Sequence, residues 1–163
     1  MFHFKKKAHT DQLFSPAAGK VVELSTVSDP VFAQKMMGDG FAVTPDFAED
    51  KIVAPISGTV TVAQGHAFGI TRDDGLEFLV HIGIDTVSLK GAPFKLHAKK
   101  GKYVEDGDKM VTVDWDQIKA KKLDPTVMVL ITNSKTNLDE LKMNYQTVGL
   151  DDVVGTATAK KNS

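Results

Sequence analysis

The chain has 163 residues, of which 42% are hydrophobic, so one globular domain can bury a sizeable core and we expect no second domain. Its 20 basic and 21 acidic side chains give a net charge of −1, which excludes the positive field typical of nucleic-acid-binding proteins. The absence of cysteine excludes disulfides, thiolate metal clusters and a cysteine nucleophile.

The two ends of the chain have the composition of tails. Residues 1–12 are largely polar and basic, and residues 156–163 are small and polar. We expect both stretches to be flexible, which leaves 13–155 as the folded domain. No apolar run approaches the roughly 18 residues that span a bilayer, and no signal-peptide core follows the lysines near the start. We therefore expect a cytoplasmic protein.

Between these ends, short β-branched stretches alternate with glycine, proline and aspartate. In chain order they predict strands over 19–25, 40–44, 51–54, 58–63, 66–71, 76–82, 103–104, 109–113, 127–132 and 146–148. Many short strands at this spacing predict an all-β fold, an antiparallel β-sandwich or barrel.

Two short helices interrupt the predicted strands. Asp29 can cap a helix in which Pro30 takes the first position, the segment 31–37 follows, and Gly38 ends it. Asp114 begins a capping box that predicts a second helix over 115–122. Neither helix carries a pattern that indicates catalysis.

A faint internal repeat indicates a duplicated β unit. Residues 15–21 (SPAAGKV) match 54–60 (APISGTV), and 38–43 (GDGFAV) match 65–70 (GHAFGI) in the same order. In the first match of each unit, a proline-bearing turn ends in glycine before a strand, as expected where a chain reverses tightly. The sequence therefore predicts a duplicated half motif.

The run from Leu76 to Asp85 is almost wholly apolar and contains one histidine, His81. Alternation along a strand puts one set of apolar residues on one face, and His81 with Leu79 and Gly83 on the other. If the apolar set packs into the core, His81 points outward between a large apolar residue and a glycine. That position suits chemistry better than core packing.

A second histidine, His66, begins the preceding predicted strand. A two-residue turn over 73–74 would place His66 opposite His81, and a turn over 74–75 would place it opposite Gly83. A three-residue loop without a bulge would instead put the two rings on opposite faces of the sheet. We expect the arrangement in which both rings share one face.

Two imidazoles on an exposed strand face, with Asp85 and the backbone N–H of Gly83 nearby, suit two kinds of chemistry. A neutral ring with a pKa of about 6.5 can attack phosphorus without a separate strong base. A neighbouring ring and backbone amides can then stabilise the phosphoryl oxygens. Neutral imidazoles bind zinc equally well, so His66 and His81 could instead hold zinc.

Four stretches resemble one known family: DPVFAQKMMGDG at 29–40, APISG at 54–58, HAF at 66–68 and LVHIGIDTV at 79–87. They are similar to the glucose-type IIA component of the bacterial phosphoenolpyruvate:sugar phosphotransferase system. The similarity runs from about residue 14 to residue 155. The resemblance implies a β-sandwich with a duplicated half motif, in agreement with the repeat.

The resemblance also implies a phosphocarrier. His81 would accept a phosphoryl group from the histidine-containing phosphocarrier protein, HPr, as a tele-phosphohistidine, and His66 would stabilise that group. The group would pass to a cysteine of the IIB domain of a sugar permease, at the inner face of the membrane. This chain lacks that cysteine and resembles a stand-alone IIA unit, for which no cofactor is required.

The resemblance further implies an apolar partner-binding ring around the histidines. Its members are Val31, Phe32, Met36, Met37, Leu79 and Val87. Methionines suit a surface that must fit unlike partners, regulatory ones included. The alternative is that these residues simply fill the core. Gln64 stands two positions before His66, where the family usually has a threonine whose hydroxyl can orient a ring.

Two other classes of protein share parts of these patterns. Residues 101–108 resemble the turn of lipoyl and biotinyl carrier domains, but no lysine lies in the setting those modules modify. The spacing of His81 and Asp85 fits half of the ligand set of a lysostaphin-type zinc peptidase, whose His-x-His half is missing. His97 lies between lysines and needs no function.

Overall fold

The computed structural model describes residues 8–161, and fourteen strands account for most of its regular structure. The strands are β1 Gln12–Phe14, β2 Gly19–Glu23, β3 Asp39–Pro45, β4 Lys51–Val53, β5 Gly58–Ala63, β6 Ala67–Thr71, β7 Glu77–Ile82, β8 Phe94–Leu96, β9 Tyr103–Val104, β10 Lys109–Val113, β11 Val127–Ile131, β12 Leu138–Met143, β13 Thr147–Val148 and β14 Val153–Ala159. The helices are α1 Pro30–Ala33, α2 Trp115–Ala120 and α3 Ser134–Asn137, with 3-10 turns at Leu24–Thr26 and Thr86–Leu89.

The strands form one large sheet and two small ones, all antiparallel. The large sheet has eight strands in the order β13-β2-β3-β11-β7-β6-β5-β9, and the small sheets are β1-β14-β12 and β4-β10-β8. One buried apolar cluster draws residues from all three sheets, among them Leu13, Val80 and Val111. The predicted antiparallel β-sandwich is confirmed. Within residues 8–161, no helix is long and apolar enough to cross a membrane.

A second, smaller apolar cluster lies apart from the main core and includes residues of β3 and β11. Its buried members are Leu24, Val27, Phe32, Ala42, Ile84, Met128 and Leu130. Three of these belong to the connection between β2 and β3, so residues 24–38 cover this part of the sheet. The histidine strand β7 lies directly beside β11.

The predicted duplication extends through the whole sheet. Each strand of the large sheet has a counterpart at the same distance from the opposite edge. The counterparts are β2 and β5, β3 and β6, β7 and β11, and β9 and β13. Two hydrogen bonds repeat the relation: Phe14 N–H donates to the Pro55 carbonyl at 3.0 Å, and Val53 N–H to the Pro16 carbonyl at 2.9 Å. One half therefore contains β1–β3 and β11–β14, and the other contains β4–β10.

Two glycines matched by the sequence repeat show why each half needs glycine there. A Cβ atom on Gly19 would overlap the carbonyl oxygen of Thr44, and one on Gly58 would overlap that of Thr71. In both halves a backbone therefore approaches a neighbouring strand too closely for any other residue.

The predicted flexible tails were wrong in part. The structure places Gln12 in β1, and 156–159 in β14, where Ala157 is buried. His9 is also held, because its two ring nitrogens contact Asp11 at 2.8 Å and Asp73 at 2.5 Å. Strand pairing orders these segments, because β14 lies between β1 and β12 in its sheet. Residues 1–7 and 162–163 of the predicted tails lie outside the described residues.

The predicted helices begin where expected and end earlier. Asp29 caps α1 by accepting a hydrogen bond from Val31 N–H at 2.8 Å. Residues 34–37 form turns, and Lys35 has a φ of +61°, which no helix continues through. Asp114 caps α2 in the same way, and that helix ends at Ala120.

Candidate functional site around two histidines

Strand β7 directs His81 away from the core, as the alternation predicted. Val80 and Ile82 are buried in the main core, whereas His81 is partly exposed on the other face. Its cross-strand neighbours are Ala67 on β6 and Met128 on β11. The imidazole therefore stands on the outer face of the large sheet, at the border of the small apolar cluster.

The two rings lie together, but the predicted register was wrong. Ala67 pairs with His81, and Arg72 N–H bonds to the Leu76 carbonyl, so the connecting loop has three residues. Strict alternation would then put His66 on the opposite face. His66, however, lies at a bend before β6 begins, and its ring centroid is 5.4 Å from that of His81. The shared face is therefore confirmed by a different route.

A single backbone carbonyl fixes the proton position on His81. Nδ1 lies 2.8 Å from the carbonyl oxygen of Gly83. Because a carbonyl only accepts hydrogen bonds, Nδ1 carries the proton and the neutral ring keeps its lone pair on Nε2. The Phe32 ring lies 5.2 Å from the His81 ring, centroid to centroid, on another side.

Both histidines are held in the neutral form. Burial lowers the pKa of His81, and the nearby His66 lowers it further, against the opposing effects of the Gly83 carbonyl, Asp29 and Asp85. Burial alone lowers the pKa of His66. The lone pair that a nucleophile or metal ligand needs is therefore present at neutral pH.

The expected role of the Gly83 N–H as a donor at the site was wrong. That N–H donates to the Thr126 carbonyl at 2.8 Å, and the next N–H, of Ile84, donates to the Asp124 carbonyl at 2.9 Å. Gly83 contributes its carbonyl instead. Its φ of +77° and its contact with Thr86 leave no room for a Cβ atom.

The other predicted site residues lie at the rim. Asp85 is exposed with a φ of +63°, and it acts on His81 through its charge. Gln64 is exposed too, and within residues 8–161 no hydrogen bond joins its side chain to His66. In the same part of the chain, no third acidic or histidine side chain joins the two rings as a metal ligand. The pair could supply two of zinc's ligands.

Four of the six residues predicted for the partner surface are exposed: Val31, Met36, Met37 and Val87, of which Met36 is 66% exposed. Phe32 differs, because its side chain is only 9% exposed and packs in the small cluster against the His81 ring. Leu79 is partly buried against the same cluster. We call the exposed set Val31, Met36, Met37 and Val87 the apolar rim.

The sequence analysis missed the residues that hold Gly83. Asp124 and Thr126 lie in the loop before β11, and the Asp124 carboxylate accepts hydrogen bonds from the Thr126 backbone and hydroxyl. An aspartate followed two residues later by threonine is a local turn signal that could have indicated this loop. Its connection to Gly83 depends on strand pairing.

The sequence and the fold are similar to those of known proteins. Residues 11–137 match the family described as phosphoenolpyruvate-dependent sugar phosphotransferase system, EIIA 1. The chain is 53% identical over 133 residues to the PTS system glucose-specific EIICBA component of Streptococcus pneumoniae, covering 80% of this chain and 18% of that protein. It is 45% identical over 124 residues to the PTS system beta-glucoside-specific EIIBCA component of Bacillus subtilis, covering 75% and 20%.

The chain therefore spans about a fifth of the length of these curated relatives. Among solved structures, it is similar to glucose permease IIA from Mycoplasma capricolum, with a TM-score of 0.78 and 35% identity. That match covers 95% of this chain and 98% of the other.

Proposed function

Because the chain belongs to the EIIA 1 family of the phosphoenolpyruvate-dependent sugar phosphotransferase system, we propose that it is a cytoplasmic phosphocarrier in sugar uptake. His81 accepts a phosphoryl group from HPr and passes it to the cysteine of a IIB domain of a sugar permease. The observation that carries this proposal is the hydrogen bond from His81 Nδ1 to Gly83, which leaves Nε2 as the free nucleophile.

In the first step, the Nε2 lone pair attacks phosphorus while the P–N bond to the HPr histidine breaks. The product is a tele-phosphohistidine whose Nδ1 keeps its proton and donates it in a hydrogen bond to the Gly83 carbonyl. That hydrogen bond stabilises the positive charge that develops on the ring. In the second step, a thiolate of IIB attacks phosphorus, the P–Nε2 bond breaks, and its electron pair returns to Nε2 of His81.

His66 acts on the phosphoryl group rather than as an acceptor. Its neutral ring carries one N–H, and the ring centroids are 5.4 Å apart at an interplanar angle of 77°, so the His66 edge can approach a group on Nε2. The transition state spreads charge over the equatorial oxygens, and a positioned donor stabilises that charge. The transfer needs no cofactor, since this chain and its partner supply every reacting group.

The apolar rim is the docking surface for both partners. It includes Val31, next to the Phe32 that packs on the His81 ring, and its burial on docking would remove water from a P–N bond that hydrolyses readily. Met36 and Met37 can adapt to two unlike partners. The relatives are named for glucose and beta-glucosides. We propose that the IIB domain of a glucose or beta-glucoside permease accepts the phosphoryl group from His81.

The geometry gives no support to a zinc hydrolase of the lysostaphin type. Such a site needs three protein ligands, and among residues 8–161 no third side chain joins His66 and His81.

One experiment tests the proposal directly. The protein is incubated with phosphoenolpyruvate and the two general phosphotransferase proteins, and its mass spectrum is recorded under basic conditions, where phosphohistidine survives. We expect one phosphoryl group on His81, and none in His81→Ala. His97→Ala, which removes an imidazole elsewhere, should be labelled like the wild type.

The His66→Gln variant separates acceptance from onward transfer. It should accept the phosphoryl group, because His81 is unchanged, but pass it to IIB more slowly. Wild-type transfer in this variant would remove the role given to His66, and labelling at a residue other than His81 would contradict the whole proposal.

A further inference from the structure

The loop that precedes β11 holds the backbone that orients His81. The Gly83 N–H donates a hydrogen bond to the Thr126 carbonyl at 2.8 Å, and the Ile84 N–H donates one to the Asp124 carbonyl at 2.9 Å. Gly83 has no side chain to fix it, and its φ of +77° lies in a region that glycine enters and leaves freely. The direction of its carbonyl, and so the hydrogen bond to His81, depends on these two contacts.

The Asp124 side chain fixes that loop. One carboxylate oxygen accepts hydrogen bonds from the Thr126 N–H at 2.9 Å and from its hydroxyl at 2.6 Å. These bonds and one from Ser28 lower the pKa of Asp124, against the opposing effect of burial. The carboxylate is therefore charged at neutral pH and binds its donors strongly.

The second carboxylate oxygen reaches a different element. It accepts a hydrogen bond from the Ser28 hydroxyl at 2.8 Å, across the sheet surface from the β11 loop. Ser28 directly precedes Asp29, the cap of α1, and α1 carries Phe32, whose ring lies 5.2 Å from that of His81. The same carboxylate thus contacts the loop that binds Gly83 and the segment that leads into α1.

We infer that Asp124 is a positioning residue for phosphoryl transfer: its carboxylate holds the loop whose carbonyls bind the peptide groups on both sides of Gly83, and so keeps Nε2 of His81 as the free nitrogen. Through Ser28 it also holds the segment that leads to Phe32. This inference rests on the proposed phosphocarrier function for its effect on rate. Its effect on the His81 tautomer does not depend on that function.

Loss of the carboxylate has a defined chemical consequence. The Gly83 carbonyl moves away from Nδ1, and the neutral ring then exchanges between its two tautomers. A ring protonated on Nε2 cannot attack phosphorus there. We expect a fall in the transfer rate on the order of tenfold, because small displacements of a reacting group are costly.

The test compares Asp124→Ala with Asp114→Ala. Asp114 is a matched control, because it also accepts a backbone N–H, from Asp116, and a side-chain group, from Gln117, but at the start of α2. Nitrogen-15 NMR of the imidazoles, above the histidine pKa, measures the tautomer, and single-turnover transfer from phosphorylated HPr measures the rate.

We expect Asp114→Ala to retain the Nδ1–H tautomer and the wild-type rate, and Asp124→Ala to show mixed tautomers and slow transfer. Two milder variants divide the effect if Asp124→Ala fails to fold. Thr126→Val should disturb the tautomer, whereas Ser28→Ala should keep it and raise the HPr concentration needed for half-maximal rate.

Wild-type tautomer in both Asp124→Ala and Thr126→Val would overturn the inference, as would mixed tautomers at a wild-type rate. If wild-type protein takes no label on His81, the phosphocarrier proposal fails instead, and the tautomer comparison still decides the role of Asp124.

Discussion

The two halves of the molecule share one backbone plan and differ in chemistry. Their central strands pair with each other at Val80 and Val129, and β6 and β3 flank them. The correspondence between the strands of the two halves puts Leu130 in the position of His81, one residue beyond the central pair. Leu130 is fully buried, whereas His81 is partly exposed.

The connections before β3 and β6 account for the difference. Residues 24–38 join β2 to β3 and cover Leu130, whereas only 64–66 join β5 to β6. The long connection extends as far as the His81 ring, against which its residue Phe32 packs. The histidine site therefore lies where the β2–β3 connection of one half ends beside the exposed outer face of β7, a strand of the other half.

The largest expected effect tests whether the halves are equivalent. Gly19→Ala and Gly58→Ala each drive a Cβ atom into a carbonyl oxygen of a neighbouring strand. Both should lower the free energy of unfolding by similar amounts, about 4 kcal/mol or more, measured by urea titration. Gly149→Ala, whose Cβ would only touch Asp152 at 3.5 Å, should change it by less than about 0.5 kcal/mol. Unequal losses would contradict the equivalence.

Next in size is the pair of substitutions at the related positions 130 and 81. Leu130→Ala should cost about 3 kcal/mol of stability, because it leaves a cavity in the small cluster, yet still take the phosphoryl group on His81. His81→Ala should abolish labelling while changing stability by about 1 kcal/mol at most, since its ring is partly exposed. Labelling that falls with Leu130→Ala in proportion to stability would remove this distinction.

A smaller effect tests the surface that the long connection presents. Met36→Ser with Met37→Ser should weaken HPr binding by about 1 kcal/mol, roughly fivefold, with stability nearly unchanged, because both side chains are exposed. Val153→Ser, an exposed apolar position on β14, is the control and should leave HPr binding unchanged. Titration calorimetry measures both.

The smallest effect is on the pH dependence of stability. The lowered pKa values of His66 and His81 mean that the unfolded chain takes up protons first as the pH falls below about 6.5, so these rings destabilise the fold in acid. Hydrogen bonds to Asp11 and Asp73 raise the pKa of His9, so its contribution is present in acid and lost as the pH rises. Denaturation of His81→Gln and His9→Gln between pH 5 and 8 should show slopes changed in opposite directions.

The sequence was sufficient to predict the β-sandwich and the outward position of His81, because an unbroken apolar run with period two leaves a strand little choice of face. It could not decide the register of β6 on β7. The residues at 73–75 suit a two-residue or a three-residue turn equally, and the hydrogen bonds of Arg72 and Leu76 select the longer one.

The missed strands and contacts share one cause. The strands that were not predicted are β1, β8, β12 and β14. Of these, β12 consists of leucine, methionine and charged residues that favour a helix, and it forms a strand because it pairs along β14. The hold of Asp124 and Thr126 on Gly83 likewise joins residues far apart in the chain. A local sequence pattern does not predict contacts between residues that are far apart in the chain.

The interleaving of the two halves sets the order in which the protein can fold. The half that begins with β1–β3 is completed only by β11–β14, so its contacts have a large sequence separation and should form slowly. During synthesis, β4–β10 can pair before β11–β14 have emerged. The loop that orients the nucleophile comes later still, so a chain cut short after β10 would carry both histidines with no fixed proton.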